Sequence, residues 1–289
     1  GGGWNGYYGG WHNGWYNGYW GGRGLGWFGA GLAAGWLLSP GYGNYAYANP
    51  FYSAPAVAGA GFYDYSQPIV TAPLSAPYTD SGTDLPADLP PPDQTPVNPS
   101  VSRSPFEQAA PDVSKLSDDD AKQLQEQVEG TVGEARSAFK AKAYPTALGK
   151  VDAAIAKLPN DPALHELRAL ILFAKGDYKN ASAALYSVLA SGPGWNWETM
   201  SGLYGDVKDY TTQLRALEAD YKANPTASQD AFLLAYHYLT LGEKDAAIAK
   251  LEDTQRLIPG DQLSKKMLDY LKNPPKDATP PDVKPKPGS

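Results

Sequence analysis

Few residues of this 289-residue chain have the types and spacing that catalysis or metal binding requires. The chain contains no cysteine, which excludes disulfides, thiolate metal sites and cysteine nucleophiles. Its three histidines are His12, His165 and His237, and no pair has the i, i+4 spacing of a metal-binding helix. We therefore expect the histidines to be packing residues rather than ligands or general bases.

The remaining candidates for chemistry have simpler structural explanations. Three aspartates at 118–120 stand where a helix is predicted to begin, and carboxylates there favour the helix dipole. A paired-carboxylate catalyst would need a convergent placement that the sequence does not show. The glycines at 24, 26 and 29 have dinucleotide-like spacing but follow no strand of a βαβ unit. We expect a protein that is not an enzyme and that requires no cofactor and no metal.

Charge and hydropathy exclude two further classes of partner. The chain has a net charge of -7 and lacks the basic stripe that nucleic-acid binding requires. The most apolar run, Gly24–Leu38, is shorter than the ~20 residues that span a bilayer, so we expect a glycine-rich packing segment and no membrane span. The first residue is Gly1 rather than Met, which indicates a processed chain or a fragment and fits a removed signal peptide.

Residues 1–66 are predicted to be an aromatic, glycine-rich arm used for assembly or anchoring. Only Arg23 and Asp64 are charged there, although the stretch holds 19 of the 31 glycines and six of the eight tryptophans. Three Asn-Gly turn signals alternate with strand-favouring Trp and Tyr. Such an arm cannot bury its rings alone, so we expect it to become ordered only on another surface. The aromatic residues assigned to assembly are Trp4, Tyr7, Tyr8, Trp11, Trp15, Tyr16, Tyr19, Trp20, Tyr45, Tyr47, Phe51 and Tyr52.

A proline-rich linker is predicted at 67–112, and a disordered proline-rich tail at 274–289. Proline fixes φ and lacks a donor, so an extended spacer is expected, with a reach on the order of 100 Å at ~3.1 Å per residue. That reach is sufficient to contact a different subunit. The Ser/Thr/Pro composition is typical of glycosylated stalks, and the candidate positions for covalent glycans are Thr71, Ser75, Thr79 and Thr95.

Residues 113–273 are predicted to be helical and to contain an internal repeat. Prolines at 159, 193, 225 and 259 close successive segments with spacings of 34, 32 and 34 residues. Ser117 and Asp120 resemble a capping box at the start of the first helix. Small residues recur at two positions of the repeat. The first position is occupied by Ala135, Ala169 and Ala235, and the second by Ala147, Ala181 and Ala247.

This pattern resembles the tetratricopeptide repeat family over about 129–260, because two closely packed helices tolerate only a small side chain where they cross. The resemblance implies an all-α fold, an α-solenoid of about four helix pairs with a capping helix at 261–271. The third repeat departs from the pattern, with two residues fewer, Gln213 in place of alanine and GPGWNW at 192–197. Arm, spacer and repeats together resemble secreted bacterial repeat proteins, which implies an extracellular or cell-surface location.

The family's groove-facing positions map onto an aromatic and apolar surface with few charges. They are Arg136, Phe139, Glu166, Leu170, Phe173, Phe232, Tyr236 and Leu239. One interpretation is a groove for an aromatic peptide; the alternative is that these residues pack between helices. Asn180 begins the one usable N-glycosylation sequon, although Ala181 within it is predicted at a tight helix crossing.

Two functional hypotheses follow. In the first, the chain is a non-catalytic structural protein, and the arm of one subunit docks on a neighbour to build an extracellular filament or surface layer. In the second, the repeats are an adaptor that binds other proteins through the groove, and the arm anchors the adaptor to the cell envelope. The partner in the first hypothesis is the chain itself, and in the second it is a different protein.

Overall fold

A computed structural model describes residues 47–53, 63–69, 116–190 and 194–273 of the chain. Within these ranges the regular structure is entirely helical, which confirms the all-α prediction for this part. None of the helices described is long and apolar enough to cross a membrane. The helices are α1 (Asp118–Lys140), α2 (Tyr144–Lys157), α3 (Pro162–Lys175), α4 (Tyr178–Leu189), α5 (Trp197–Ser201), α6 (Val207–Ala223), α7 (Ser228–Thr240), α8 (Lys244–Leu257) and α9 (Gln262–Lys272).

Most helices begin at an oxygen-bearing side chain that satisfies exposed backbone donors. Ser117 accepts a hydrogen bond from the backbone N–H of Asp120 at 3.2 Å, as the sequence predicted. Asp161 caps α3, whose first residue is Pro162, a position at which proline loses no helical hydrogen bond. Asp261 caps α9 in the same way, and this helix is present at the predicted place.

Two tight turns depend on glycine for their backbone conformation. Gly176, between α3 and α4, has φ +82°, and Gly242, between α7 and α8, has φ +81°. These values lie in the left-handed region, which glycine adopts without a steric penalty. The turns bring α3 against α4 and α7 against α8, and α1 packs on α2 in the same manner.

The helical pairs pack in succession, and the repeated small residues are buried in this packing. Helix α2 packs on α3, α4 on α7, and α8 on α9. All six alanines of the two repeated registers are buried. Buried small side chains at these positions are compatible with close packing of the helices.

The region predicted as the third repeat is the main departure. Its expected first helix is reduced to the five residues of α5, and the preceding residues 194–196 are not helical. Helix α5 ends at its cap residue Gly202, and Gly205 follows closely, which is consistent with the low helix propensity of glycine. As a consequence α7 packs directly on α4, while α6 packs on α7 and touches α3. Residues 194–206, named here the insert segment, lie between these helices.

Candidate interaction surfaces

Residues 47–53 of the predicted arm form a turn that their own asparagine fixes. Asn49 Oδ1 accepts a hydrogen bond from the backbone N–H of Phe51 at 3.1 Å. The N–H of Tyr52 donates to the carbonyl of Asn49 at 3.3 Å. Asparagine and proline in sequence favour such a turn, because the amide bonds the backbone two residues on and Pro50 presets φ. The turn therefore holds the ring of Phe51 in one direction.

Phe51 is the apolar anchor of this turn. Its side chain is only 4% exposed, and its ring lies 4.9 Å from that of Phe232 on α7 and 5.7 Å from that of Tyr186 on α4. The ring of Tyr47 also packs on Tyr186, with 5.8 Å between centroids. Tilted aromatic pairs contribute about 0.5–1.5 kcal/mol each beyond the buried area. The turn is thus seated where α4 meets α7.

Polar side chains attach the same turn to the backbone of α4. Asn49 Nδ2 donates to the carbonyl of Ala183 at 2.8 Å and to the carbonyl of Tyr65 at 3.2 Å. The hydroxyl groups of Tyr47 and Ser187 are 2.6 Å apart. A helix carbonyl has a second lone pair, so α4 accepts this bond without losing its own. The arrangement is specific, since it needs a side-chain donor at position 49.

A second arm segment, 63–69, seats Tyr65 against the start of α3. The Tyr65 hydroxyl is 3.0 Å from His165 Nδ1, and His165 Nε2 is 2.8 Å from the carbonyl of Pro159. A carbonyl can only accept, so Nε2 carries the proton and Nδ1 accepts from the tyrosine. Burial lowers the pKa of His165 to about 3 and raises the pKa of Tyr65 to about 12. Both groups are therefore neutral across the physiological range, and the contact is a buried hydrogen bond.

A partly buried ion pair supports the ring of Tyr65. Arg168 Nε donates to Asp152 Oδ1 at 2.8 Å, which ties α3 to α2. The guanidinium carbon of Arg168 lies 5.7 Å from the centre of the Tyr65 ring. A cation over an aromatic face is attracted by the ring quadrupole, so the pair stabilises the docked tyrosine as well as the helices.

Ile69 and Tyr63 complete the attachment of the second segment. The N–H of Ile69 donates to the carbonyl of Ser187 at 3.3 Å, and the Ile69 side chain is buried. The Tyr63 hydroxyl donates to the carbonyl of Pro159 at 2.9 Å. We name residues 47–53 and 63–69 the docked arm segments. The arm-docking surface is the part of the helices that receives them, namely Pro159, His165, Ala183, Tyr186, Ser187 and Phe232.

The predicted groove face is occupied by the insert segment. Trp195 and Met200 of this segment are fully buried. A Cβ on Gly194 would lie 2.7 Å from Tyr236 Cε2, so the chain can approach α7 here only because this residue is glycine. The Trp195 backbone N–H donates to Glu166 Oε1 at 2.6 Å, which fixes the segment to α3.

Glu166 is the polar centre of this face, and it is 1% exposed. Its Oε1 accepts from the Tyr236 hydroxyl at 2.6 Å as well as from the Trp195 N–H. Its Oε2 has no hydrogen-bond partner in the described part of the chain. Burial raises the pKa of Glu166 to about 8, against the lowering effect of these two hydrogen bonds. The carboxyl is consequently protonated at neutral pH.

His237 lies deeper in the same region, in an aromatic environment. Its ring is 4.0 Å from that of Phe173, and its Nδ1 is 3.3 Å from the Tyr210 hydroxyl. Burial lowers the pKa of His237 to about 3. The imidazole is neutral and sealed from solvent, which agrees with the packing role expected for this histidine.

The eight predicted groove positions lie in the packed interior rather than on an open groove. Seven of them are buried, at 4% exposure or less, and the eighth, Arg136, is half-buried. Phe139 packs on Tyr204 of the insert segment, with 5.0 Å between rings, and Glu166 and Tyr236 bond to that segment or to each other. The alternative interpretation, packing within the chain, describes these contacts. Binding of a partner protein by these residues stays a prediction.

Sequence reasoning missed the residues that attach the arm to the helices. Asn49, Tyr65 and His165 were not singled out for this role, and Ile69 fell within the predicted linker although it is buried. The local signal was present, because Asn-Pro is a turn dipeptide and aromatic residues surround it. No local pattern in the sequence indicates which helices receive the arm.

The other predicted sites divide between described and undescribed residues. Among the described residues, no group of three or more acidic, histidine or cysteine side chains could hold a metal ion. Asn180 is exposed near the start of α4, and its amide donates to both carboxylate oxygens of Asp177. Nine of the twelve assembly residues, from Trp4 to Tyr45, lie outside the described ranges. So do the four candidate Ser/Thr glycosylation positions and residues 274–289.

Comparison with known proteins adds no assignment. No protein-family model matches the chain, and no curated protein or solved structure matches it either.

Proposed function

We propose that this protein is a non-catalytic scaffold that self-assembles, with the arm of one subunit docking on the helices of a neighbour. The product would be an extracellular filament or surface layer. The observation that supports this best is the arm-docking surface itself. It receives Phe51 between two aromatic rings and Asn49 on a helix carbonyl, so the helical region is a receptor for this chain's own arm sequence.

A tetratricopeptide-type solenoid suits this role. Repeat arrays expose extended surfaces and commonly function by binding. Tyrosine and phenylalanine bury large areas at low cost in side-chain entropy, which favours an aromatic arm as the assembling element. Contacts that run head-to-tail from subunit to subunit generate an open filament when the rotation between subunits does not close a ring.

The state of the titratable groups also favours binding over catalysis. His165, Glu166 and His237 have strongly shifted pKa values, and each is sealed under packed side chains. A general acid or base must reach a substrate atom within hydrogen-bond distance. These three groups instead bond to the protein's own backbone and tyrosines.

The insert segment favours assembly over the adaptor alternative. An adaptor that binds through the predicted groove would first have to displace Trp195 and its bond to Glu166. At the arm-docking surface, a neighbour's arm would replace an identical arm segment and leave Trp195 and its bond to Glu166 in place.

Deletion of residues 1–66 tests the proposal. The full chain is expected to form large assemblies in light scattering and fibres or sheets in electron microscopy, and the shortened chain is expected to lose them. A chain without 274–289 is the control, since it also loses a terminal stretch but keeps the arm, and it should assemble normally. Far-UV circular dichroism checks that the helices persist. Undiminished assembly of the helical chain without 1–66 would refute the proposal.

A further inference from the structure

The docked arm segments are remote in sequence from the surface that holds them. The hydrogen bonds of Tyr47 and Asn49 join residues 134 to 140 positions apart. The covalent path from Ile69 to the first helix runs through residues 70–115. None of the contacts on the arm-docking surface depends on this path, since each is made by side chains or backbone groups of the two segments themselves.

We propose that this contact is exchangeable between chains: the docked arm segments of one copy occupy the arm-docking surface of a second copy, in the same geometry as within one chain. This inference rests on the proposed function and specifies which surface receives the arm. It also gives the intramolecular contact a role. Docking within a chain competes with docking between chains and therefore holds the protein in an unassembled form.

The energetics of the exchange follow from the identity of the contacts. A swapped contact repeats the same hydrogen bonds and ring pairs, so the two forms differ mainly in the cost of closing the intervening chain. A flexible tether sets an effective concentration in the millimolar range when short, and this falls as the tether lengthens. The sequence predicts an extended spacer over most of 70–115, and the length of this path weakens the intramolecular preference. Crowding of chains at a surface favours exchange.

The chemistry of the surface selects this occupant. Position 49 must carry a donor for the Ala183 carbonyl, and position 51 a ring that fits beside Phe232. Position 65 must carry a hydroxyl that donates to neutral His165. A second copy of the chain presents all three at the correct spacing.

Cross-linking between two single-cysteine variants is the sharpest test, because the natural chain has no cysteine. Ile69 and Ser187 are joined by a backbone hydrogen bond of 3.3 Å, so they are close enough to try. The variants Ile69→Cys and Ser187→Cys are mixed at high concentration, unfolded and refolded together, then oxidised. A disulfide-linked heterodimer is expected on a non-reducing gel. Ile69→Cys mixed with Ser137→Cys, an exposed position on α1, measures random collision.

The double variant Ile69→Cys, Ser187→Cys supplies the geometric check, since it should form the bond within one chain when dilute. The inference holds if the 69/187 mixture yields heterodimer well above the 69/137 mixture. It fails if the double variant closes within one chain while the mixture gives no more heterodimer than the control.

A second measurement uses the unmodified chain and does not depend on introduced cysteines. A labelled synthetic peptide of residues 47–69 is titrated onto the full chain and followed by fluorescence anisotropy. Binding is expected, and the Asn49→Ala peptide should bind at least about five-fold more weakly, in line with the loss of a buried hydrogen bond. No binding at about 1 mM, the range of the effective concentration, would overturn the exchange.

The outcomes separate this inference from the proposed function. Fibres without 69/187 cross-links would leave assembly intact and assign it to another part of the arm, so the exchange would be wrong. Cross-linked dimers without fibres would uphold the exchange and refute the filament.

Discussion

Two stretches outside the paired helices pack against them, and they are held in different ways. The insert segment is continuous with α6 and places Trp195 in the interior, with Glu166 as its polar anchor. The docked arm segments reach their surface from a distant part of the sequence. They are held by bonds to carbonyl and hydroxyl groups at the helix surface, and by the buried side chains of Phe51, Tyr65 and Ile69.

The two modes of attachment imply that the two stretches detach at different free energies. Closing a long chain segment costs entropy that a segment adjacent in sequence does not incur. Stability is not uniform in a protein, and regions with fewer buried contacts open at lower free energy than the core. We therefore expect the insert segment to unfold only with the helices, and the docked arm segments to detach while the helices remain folded.

The largest difference between the two stretches should appear when the buried ring of each is removed. Trp195→Ala is expected to lower the free energy of unfolding by about 3–5 kcal/mol, because a large buried side chain is lost. Phe51→Ala should lower helical stability by less than about 1 kcal/mol, since the arm detaches first and the helices unfold from that state. Urea unfolding followed by circular dichroism at 222 nm gives both values. Equal losses would contradict the distinction between the two stretches.

A glycine substitution tests how closely the insert segment approaches α7. Gly194→Ala would place a Cβ 2.7 Å from Tyr236 Cε2 and 3.0 Å from Glu166 Oε1. We expect this overpacking to lower the free energy of unfolding by about 1–3 kcal/mol. Gly149→Ala in α2 is the matched control, because its new Cβ meets nothing within 4 Å. That change should stabilise the helix by about 0.5–1 kcal/mol, and thermal melts of both variants would show shifts of opposite sign.

The buried carboxyl of Glu166 should make the stability of the insert segment depend on pH. Its folded pKa is raised to about 8, from 4.5, so the folded state retains a proton that the unfolded state has lost. Stability contributed by this group is complete below pH 4.5 and declines as pH rises towards 8. Between pH 6.5 and 8 the free energy of unfolding of the unmodified chain should fall by roughly 1–2 kcal/mol more than that of Glu166→Gln, whose side chain cannot ionise.

Measuring the difference between these two chains removes the other titrating groups. The pKa of Asp230 is also raised, to about 7, by burial and by Asp220, and it contributes equally to both chains. His165 and His237, with folded pKa values of about 3, change stability only below their unfolded values. Parallel slopes for the two chains between pH 6.5 and 8 would show that Glu166 is ionised in the folded protein.

Local features of the helices could be predicted from the sequence because local chemistry determines them. The register of alanines predicted small buried positions, and Ser117 predicted the first cap. Each of these depends on the conformation or size of one residue, which the sequence states directly.

Features that depend on contacts between distant segments could not be predicted in the same way. The repeat period gave positions for a groove, but whether those positions face solvent depends on the insert segment that packs over Glu166 and Tyr236. The arm was recognised by composition, yet composition does not name the surface that binds it. Ile69 is an example. Its proline-rich context predicted an extended spacer, whereas its backbone N–H bonds to the carbonyl of Ser187 in the structure.

The smallest effect on the helices, and the most specific effect on the arm, is expected from Asn49→Ala. This change removes the Nδ2 bonds to Ala183 and Tyr65 and the turn bond to Phe51. The free energy of arm docking should therefore fall by about 1 kcal/mol for each buried partner left unsatisfied. Limited proteolysis should cleave the variant faster near residues 47–53, while the helical unfolding midpoint barely moves. Asn180→Ala, at an exposed position, should leave arm cleavage unchanged. If Asn49→Ala instead lowered the helical midpoint as much as Trp195→Ala, the arm would belong to the cooperative core, and exchange between chains would require global unfolding.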